Sequence, residues 1–168
     1  MDALVVIVIG VSGSGKSTVG LALADLLDVP FLDGDELHPE ANIAKMSAGR
    51  PLDDEDRLPW LAALAARVGA MAAAEGGVIA CSALKRKYRA LIDRRGEGVE
   101  FVYLHGSREL IASRLATRHG HFMPTSLLDS QFETLEEPTA DEPFIRVEIA
   151  GTPEAIADAV LAALGLAA

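Results

Sequence analysis

LVVIVIGVSGSGKST, residues 4–18, holds the pattern from which the rest of the chain can be read. Leu4 to Ile9 is an unbroken apolar run rich in β-branched side chains, the composition of a central parallel strand covered on both faces. The run stops at Gly10. From there the chain reads G-x-x-x-x-G-K-S through Gly10, Val11, Ser12, Gly13, Ser14, Gly15, Lys16 and Ser17. Glycines let the backbone curl until its N–H groups face an anion, and the following helix turns its positive end toward the same anion. Lys16 then reaches the outer phosphates of a nucleotide, and the Ser17 hydroxyl suits Mg²⁺. The nucleotide contacts extend to Thr18 in the first helical turn. A glycine-rich turn with a chance lysine is the plain alternative, but the strand before it and the helix after it favour phosphate binding.

Outward from this loop, apolar spacing changes repeatedly between two periods. Lys16–Leu27 reads as a helix with Val19, Leu23, Leu26 and Leu27 on one side, and Val29–Leu32 as a short strand. Residues 38–49 read as a short helix or irregular segment. Leu61, Leu64, Ala65, Val68 and Met71 recur at helical spacing, in a helix expected to begin near Pro59, because proline suits a first turn. Strands are expected at 77–81, 99–104 and 144–149, and helices at 84–94, 109–118 and 153–164. Strands alternating with helices predict an α/β fold of three layers, α/β/α, with a five-stranded parallel sheet and right-handed crossovers. One domain is expected to span 1–168. Ligands of such sheets bind beyond the carboxyl ends of the strands. The stretches 10–17, 33–38, 82–89 and 150–153 all follow strand ends, so they should meet at one crevice.

Composition narrows the partners. The 168 residues are half hydrophobic, enough for a core without metals or disulfides. A net charge of −10 repels nucleic acid and anionic membranes, which excludes both as general partners. A small anion would need a locally basic pocket. The one cysteine, Cys81, cannot form an internal disulfide and fits a cytoplasmic protein; it reads as a small buried residue. The start, MDALVVIVIG, has no basic leader, and its apolar run is too short to span a bilayer.

A phosphate loop alone does not say what becomes of the nucleotide. A regulatory GTPase would need an Asn-Lys-x-Asp motif, which the chain lacks, and its D-x-x-G match at Asp93–Gly96 ends a helix rather than a strand. A binding module without transfer activity stays open as the second class. Phosphoryl transfer to an alcohol needs a group that orients the hydroxyl and takes its proton. In LDGDELHPEANIAKM, Asp33 and Asp35 flank Gly34 at the end of the second strand. One carboxylate can orient the acceptor while the other holds waters around Mg²⁺, with Lys16, the metal and an arginine offsetting their repulsion. An Asp-Gly turn that merely caps a helix explains the same letters equally well.

The wider pattern resembles gluconate kinase (gluconokinase), in the shikimate-kinase-like branch of the P-loop small-molecule kinases. The resemblance covers nearly the whole chain. It is carried by GVSGSGKST, LDGDELHPEANIAKMSAGRPLDDEDRLPWL, ACSALKRKYRALI and GHFMPTSLLDSQFETLEEP. It implies a P-loop kinase fold with a helical lid, ATP and Mg²⁺ as cofactors, D-gluconate as substrate and a homodimer. The implied reaction moves the γ-phosphoryl group of ATP to the 6-hydroxyl of D-gluconate. Kinases for shikimate or a nucleoside monophosphate are the enzymatic alternatives. By resemblance, Asp35 contacts the hydroxyl, Asp33 acts on Mg²⁺ through water, and His38 lines the acceptor pocket.

Gluconate is a carboxylate with a row of hydroxyls, so its recognition calls for a cationic fork and hydrogen-bonding side chains. In DDEDR the acids suit a helix start, and Arg57 is aimed at the acceptor, as in the related shikimate kinases. In CSALKRKYR, Ser82 and Lys85 are assigned to the pocket, while Arg86, Lys87 and Arg89 are left as surface. Cys81-Ser82-Ala83 departs from the consecutive glycines of shikimate kinases here, which argues against shikimate. Arg114 and Arg118 share a helix face; the resemblance assigns Arg114 to the base and Arg118 to the transferring phosphate. Pro153 closes the other side of the adenine or is an ordinary first-turn proline. Residues 119–138, with Leu127, Leu128, Phe132 and Leu135, form a satellite core cluster or, as the resemblance favours, a lid that excludes water. His121 in this stretch is assigned to gluconate or phosphate.

Overall fold

Alternate residues of the first strand face opposite ways, and both ways are covered. In the computed structural model, residues 3–11, 14–50, 52–92, 99–117, 125–139, 144–149 and 151–166 are described, with the backbone alone at 114–117, 125–127 and 130. The elements run β1 (Val5–Ile9), α1 (Lys16–Leu27), β2 (Phe31–Asp33), a 3-10 turn (Gly34–Leu37), α2 (Glu40–Ser47), α3 (Asp54–Ala72), β3 (Gly77–Cys81), α4 (Arg86–Ile92), β4 (Val99–His105), α5 (Arg108–Thr117), α6 (Thr125–Thr134), β5 (Ile145–Glu148) and α7 (Pro153–Ala163). All strand pairs are parallel, in the order β2-β3-β1-β4-β5. Val6 and Val8 pack with Val19 and Leu23 of α1 and Ile156 and Val160 of α7. Val5, Ile7 and Ile9 pack with Trp60, Leu61, Leu64 and Val68 of α3 and Tyr88 of α4. This is the expected three-layer arrangement, with β1 buried at its centre because every side chain of the run finds an apolar neighbour.

Register places the chemistry. Ile9 lies opposite Cys81 and Tyr103, and Asp33 lies opposite Ala80. The carboxyl ends of β1, β2 and β3 are therefore level, and the segments that leave them share one edge of the sheet. His105 pairs with Glu148, which brings the start of α7 to the same edge.

Two expectations need correction. Leu26 is exposed rather than packed, whereas Gly20 and Ala24 join Val19 and Leu23 on the buried face of α1. More consequentially, α3 begins at Asp54, so Pro59 sits in its second turn, where it has no N–H to return to the Glu55 carbonyl. The start is set by a capping box: Asp53 accepts from the Asp56 N–H at 2.8 Å, and Asp56 accepts from the Asp53 N–H at 2.9 Å. Asp54, Glu55 and Asp56 then lie in the first turn, at the positive end of the helix.

Candidate active site

The phosphate loop ends in Gly15, whose φ of +92° caps α1 with a backbone shape that side chains disfavour. Lys16 opens the helix, is buried, and its Nζ donates to the Val11 carbonyl at 3.0 Å. The ammonium is thus folded back over the loop whose N–H groups it complements. Ser14 Oγ is buried beneath the loop and has no hydrogen-bond partner among the described residues. Thr18 is exposed on the first turn. Ser12 and Gly13 lie outside the described residues.

From Ser17 the site crosses to the neighbouring strand. Its hydroxyl donates to Asp33 Oδ2 at 3.2 Å, while Asp33 Oδ1 accepts the Asp35 N–H at 3.0 Å. The two explanations of the aspartate pair therefore meet in one residue: Asp33 caps the 3-10 turn and also faces the phosphate loop. Asp35 is left as the carboxylate beyond the turn. Water still reaches it, yet protein packs closely around the carboxyl. That crowding raises its pKa above 3.8; Lys16 pulls the other way and Asp33 adds to the rise. Solvent tempers the upward push. The positive partner that the close pair requires is, on the protein's side, Lys16.

The turn is held from below. Trp60 Nε1 donates to the Gly34 carbonyl at 2.8 Å. A Cβ on Gly34 would lie 2.9 Å from the Ala80 carbonyl, 2.9 Å from Cys81 Cβ and 3.0 Å from Leu64 Cδ2. Two of these neighbours cannot swing aside. Gly34→Ala is expected to cost about 1–3 kcal/mol of stability through overpacking and to push Asp35 off its position. Chemical melts and turnover, measured together, check this; a variant with wild-type stability and rate would show that the turn has room.

A second group of side chains lies beside the aspartates. His38 is buried and stacks on Trp60, with centroids 4.3 Å apart and planes 15° from parallel. Burial, and then the Arg57 guanidinium, bring its pKa down to about 4, so the ring is neutral at physiological pH. Asn42 of α2 is buried between His38 and α3. Arg57 donates to the Tyr88 hydroxyl at 2.9 Å and lies 5.3 Å from the centre of that ring. Tyr88 donates in turn to Asp54 Oδ1, which also pairs with Lys85 at 3.1 Å; Lys87 pairs with the other oxygen. These partners hold the Asp54 carboxyl well below the usual range, and burial together with Asp54 pushes the Tyr88 hydroxyl up to about 12. Arg57 and Lys85, assigned to the acceptor on separate grounds, thus meet through Tyr88 and Asp54. Asp54 does more than favour the helix start.

Arg89 is not a surface residue. It is 2 % exposed, and its guanidinium donates to the carbonyls of Ala83 and Glu136 at 2.9 Å each. Arg86 and Lys87 are exposed, as expected. Arg89 faces inward because α4 turns Tyr88, Arg89 and Ile92 toward the sheet. Ala83 has φ of +30°, in the region where glycine is favoured. The backbone after β3 thus bends as a glycine would, with alanine in the position, and Arg89 grips the bend. Ser82 is half-buried beside it. Cys81 is fully buried, and burial first, then Asp35, pushes its thiol up to about 12, which leaves it inert.

The segment 125–137 is docked on the body of the protein. Leu128 is buried in the core, Phe132 and Leu135 pack against it, and Arg108 of α5 pairs with Asp129 at 2.6 Å. Glu136 ties this segment to α4 through the Arg86 N–H and to Leu84 through its own. Arg118 and His121 lie outside the described residues, as does the side chain of Arg114. Pro153 is the first residue of α7, after Thr152, whose hydroxyl accepts the Ala155 N–H at 3.1 Å.

Ser17 and Asp33 set two hard oxygens side by side next to the phosphate loop. Mg²⁺ in nucleotide sites takes one or two protein oxygens, keeps several waters and borrows the rest from phosphates, so this pair fits it. Among the described residues no group of three or more His, Cys, Asp or Glu could hold a metal alone. Trp60, Asn42, Tyr88, Asp54 and Arg89 are additions to the expected site. Trp60 is the only tryptophan, which was a usable signal; the others declare themselves only through contacts between distant segments.

A family model described as shikimate kinase matches residues 12–162. The thermosensitive gluconokinase of Escherichia coli (strain K12) is 49% identical over 162 residues, covering 93% of this chain and 87% of that protein. The crystal structure of a gluconokinase from Sinorhizobium meliloti 1021 superposes with a TM-score of 0.87 at 48% identity, covering 96% of this chain and 91% of that one. Shikimate kinase from Aquifex aeolicus shares the fold, with a TM-score of 0.64 at 18% identity over 96% of both chains. An unbroken parallel sheet, a phosphate loop on its central strand and close identity along nearly the whole length lead to one conclusion: the chain belongs to the gluconokinase family, within the group that the shikimate kinase model describes.

Proposed function

We propose that this protein is an ATP-dependent gluconokinase, which transfers the γ-phosphoryl group of ATP to the 6-hydroxyl of D-gluconate to give 6-phospho-D-gluconate and ADP. The observation that carries the reaction type is the hydrogen bond from Ser17 to Asp33, which seats the acidic strand tip against the phosphate loop. The acceptor is supported by the names of the relatives and by Arg57, which acts on His38 and is joined through Tyr88 and Asp54 to Lys85.

The chain's own groups supply positioning and charge. Backbone N–H groups of residues 10–17 grip the phosphates, and Lys16 leaves the Val11 carbonyl for the outer phosphate oxygens. Ser17 and Asp33 would hold Mg²⁺, Asp33 through water, and the metal would offset the negative charge that develops on the transferring phosphate. Asp35 orients the 6-hydroxyl and takes its proton, and a carboxyl with a raised pKa holds that proton more readily than an ordinary one. Arg57 and Lys85 face the gluconate carboxylate, with Ser82, His38 and His121 along the hydroxyls. By family resemblance Arg118 steadies the transferring phosphate, Arg114 and Pro153 enclose the adenine, and residues 119–138 shield the reaction from water, rooted on the core by Leu128. A homodimer in the cytoplasm completes this reading. Among the described residues no helix is long and apolar enough to cross a membrane.

A coupled ADP-release assay over gluconate, shikimate, other sugar acids and nucleoside monophosphates tests the proposal. Gluconate is expected to lead by at least about 10²-fold in kcat/KM, since buried polar groups left unpaired by the wrong acceptor each cost about 1–3 kcal/mol. Preference for another acceptor overturns the substrate. ATP binding without release of ADP for any acceptor would instead make the protein a nucleotide-binding module.

A further inference from the structure

The tautomer of a buried histidine is set by whichever neighbour has no choice about donating or accepting. Asn42 has such a neighbour. Its Nδ2 lies 2.8 Å from the backbone carbonyl of Asp56, an atom that can only accept. A flipped amide would set oxygen against oxygen there, so the NH₂ group must point toward α3. The same Nδ2 lies 3.1 Å from His38 Nδ1. With one amide hydrogen given to Asp56, the other is directed at the ring, and Nδ1 has to receive it.

We propose that Asn42 is a positioning residue that fixes His38 as the Nε2–H tautomer, making it a neutral hydrogen-bond donor toward the acceptor's hydroxyl oxygens. The chain of cause runs from the Asp56 carbonyl to the Asn42 amide, to Nδ1, and across the ring to Nε2. Stacking on Trp60 fixes the plane of the ring, and Trp60 is itself tied to the Gly34 carbonyl of the turn that carries Asp35. Nε2 diverges from Nδ1 and so points away from Asn42. Among the described residues it has no hydrogen-bond partner, and it is not sealed from solvent. Arg57 is the charged group that acts on the ring, and it disfavours a second proton. The division of labour follows: Arg57 and Lys85 meet the carboxylate of a sugar acid, while His38 offers one N–H to its polyol chain without adding charge. The target of that N–H rests on the proposed gluconokinase activity; the tautomer does not.

The test uses the ¹⁵N-labelled full chain and long-range ¹H–¹⁵N correlation of its histidine rings, with His38 assigned by its loss in His38→Gln. The wild type is expected to show a bare Nδ1 and a protonated Nε2 at neutral pH. In Asn42→Asp the side chain can no longer donate; the ring is expected to move its proton to Nδ1 or to take up a second one near neutral pH. Loss of one positioned donor should raise KM for gluconate about tenfold, with kcat and KM for ATP held. A wild type protonated on Nδ1 overturns the tautomer assignment whether or not Asn42→Asp folds. A correct tautomer with KM for gluconate unmoved in Asn42→Asp and His38→Gln overturns the donor role. If the wild type does not phosphorylate gluconate at all, the activity reading fails, and the spectrum still decides the tautomer.

Discussion

Lys16→Ala is expected to remove phosphoryl transfer, with kcat falling by at least about 10³-fold, as when a preorganised donor is taken from a developing oxyanion. The side chain contributes little to the fold by comparison. It opens α1, where alanine is an excellent helix former, and inside the loop its ammonium donates to the Val11 carbonyl. Losing that bond should cost about 1 kcal/mol, or about 2–4 °C in melting temperature for a chain of this size. ADP release and thermal melting on the same preparation check the split. Wild-type turnover would mean that the reaction does not occur at this loop. The variant has a second signature. Lys16 opposes the rise in the Asp35 pKa, so the residual activity should fall away on the acid side at higher pH than the wild type does.

Asp35→Asn should lower kcat by about 10²- to 10⁴-fold, the range for loss of a general base, and leave KM for ATP unchanged. An unaltered rate would remove Asp35 from the reaction. Stability should move the other way. The folded-state pKa of Asp35 is raised, chiefly by the protein crowded around it. The stability linked to this group is therefore present below the unfolded value of 3.8 and is lost as pH rises through the higher folded value. At neutral pH the ionised carboxyl is a burden on the fold, and the neutral amide relieves it. Asp35→Asn should melt no lower than the wild type at pH 7, and any advantage should shrink as pH falls toward 4. Activity needs the ionised form, so wild-type turnover declines as pH drops through the same folded value. One group thus opposes stability and supports chemistry over the same pH window, as expected where a site is built for function.

Some of this could be read directly from the letters. The β-branched run at 5–9 had to be a covered central strand, because no surface strand places apolar side chains on both faces. The loop at 10–17 and the helix from Lys16 follow from glycine spacing and apolar periodicity, both local properties. Asp33 and Asp35 were visible as a pair, but the choice between a cap and a metal-side carboxylate was undecided, because both uses need the same residue at the same place. Pro59 misled for a related reason: its preference for first turns is real, but the capping box at Asp53 and Asp56 sets the start of α3 five residues earlier. Arg89 looked like part of a basic surface run, and only the direction in which α4 faces the sheet shows that it is buried.

The sequence by itself determined the layered fold, the phosphate grip and the acidic turn opposite it, since each depends on residues within about ten positions of one another. Tertiary structure alone decided which carboxylate oxygen meets Ser17, that Arg57 meets Tyr88 and Lys85 meets Asp54, each across 31 positions, and that Asn42 stands between His38 and the Asp56 carbonyl. The physical reason is that a hydrogen bond is settled within a few tenths of an ångström, and distances between remote segments are set only when the sheet and its helices pack.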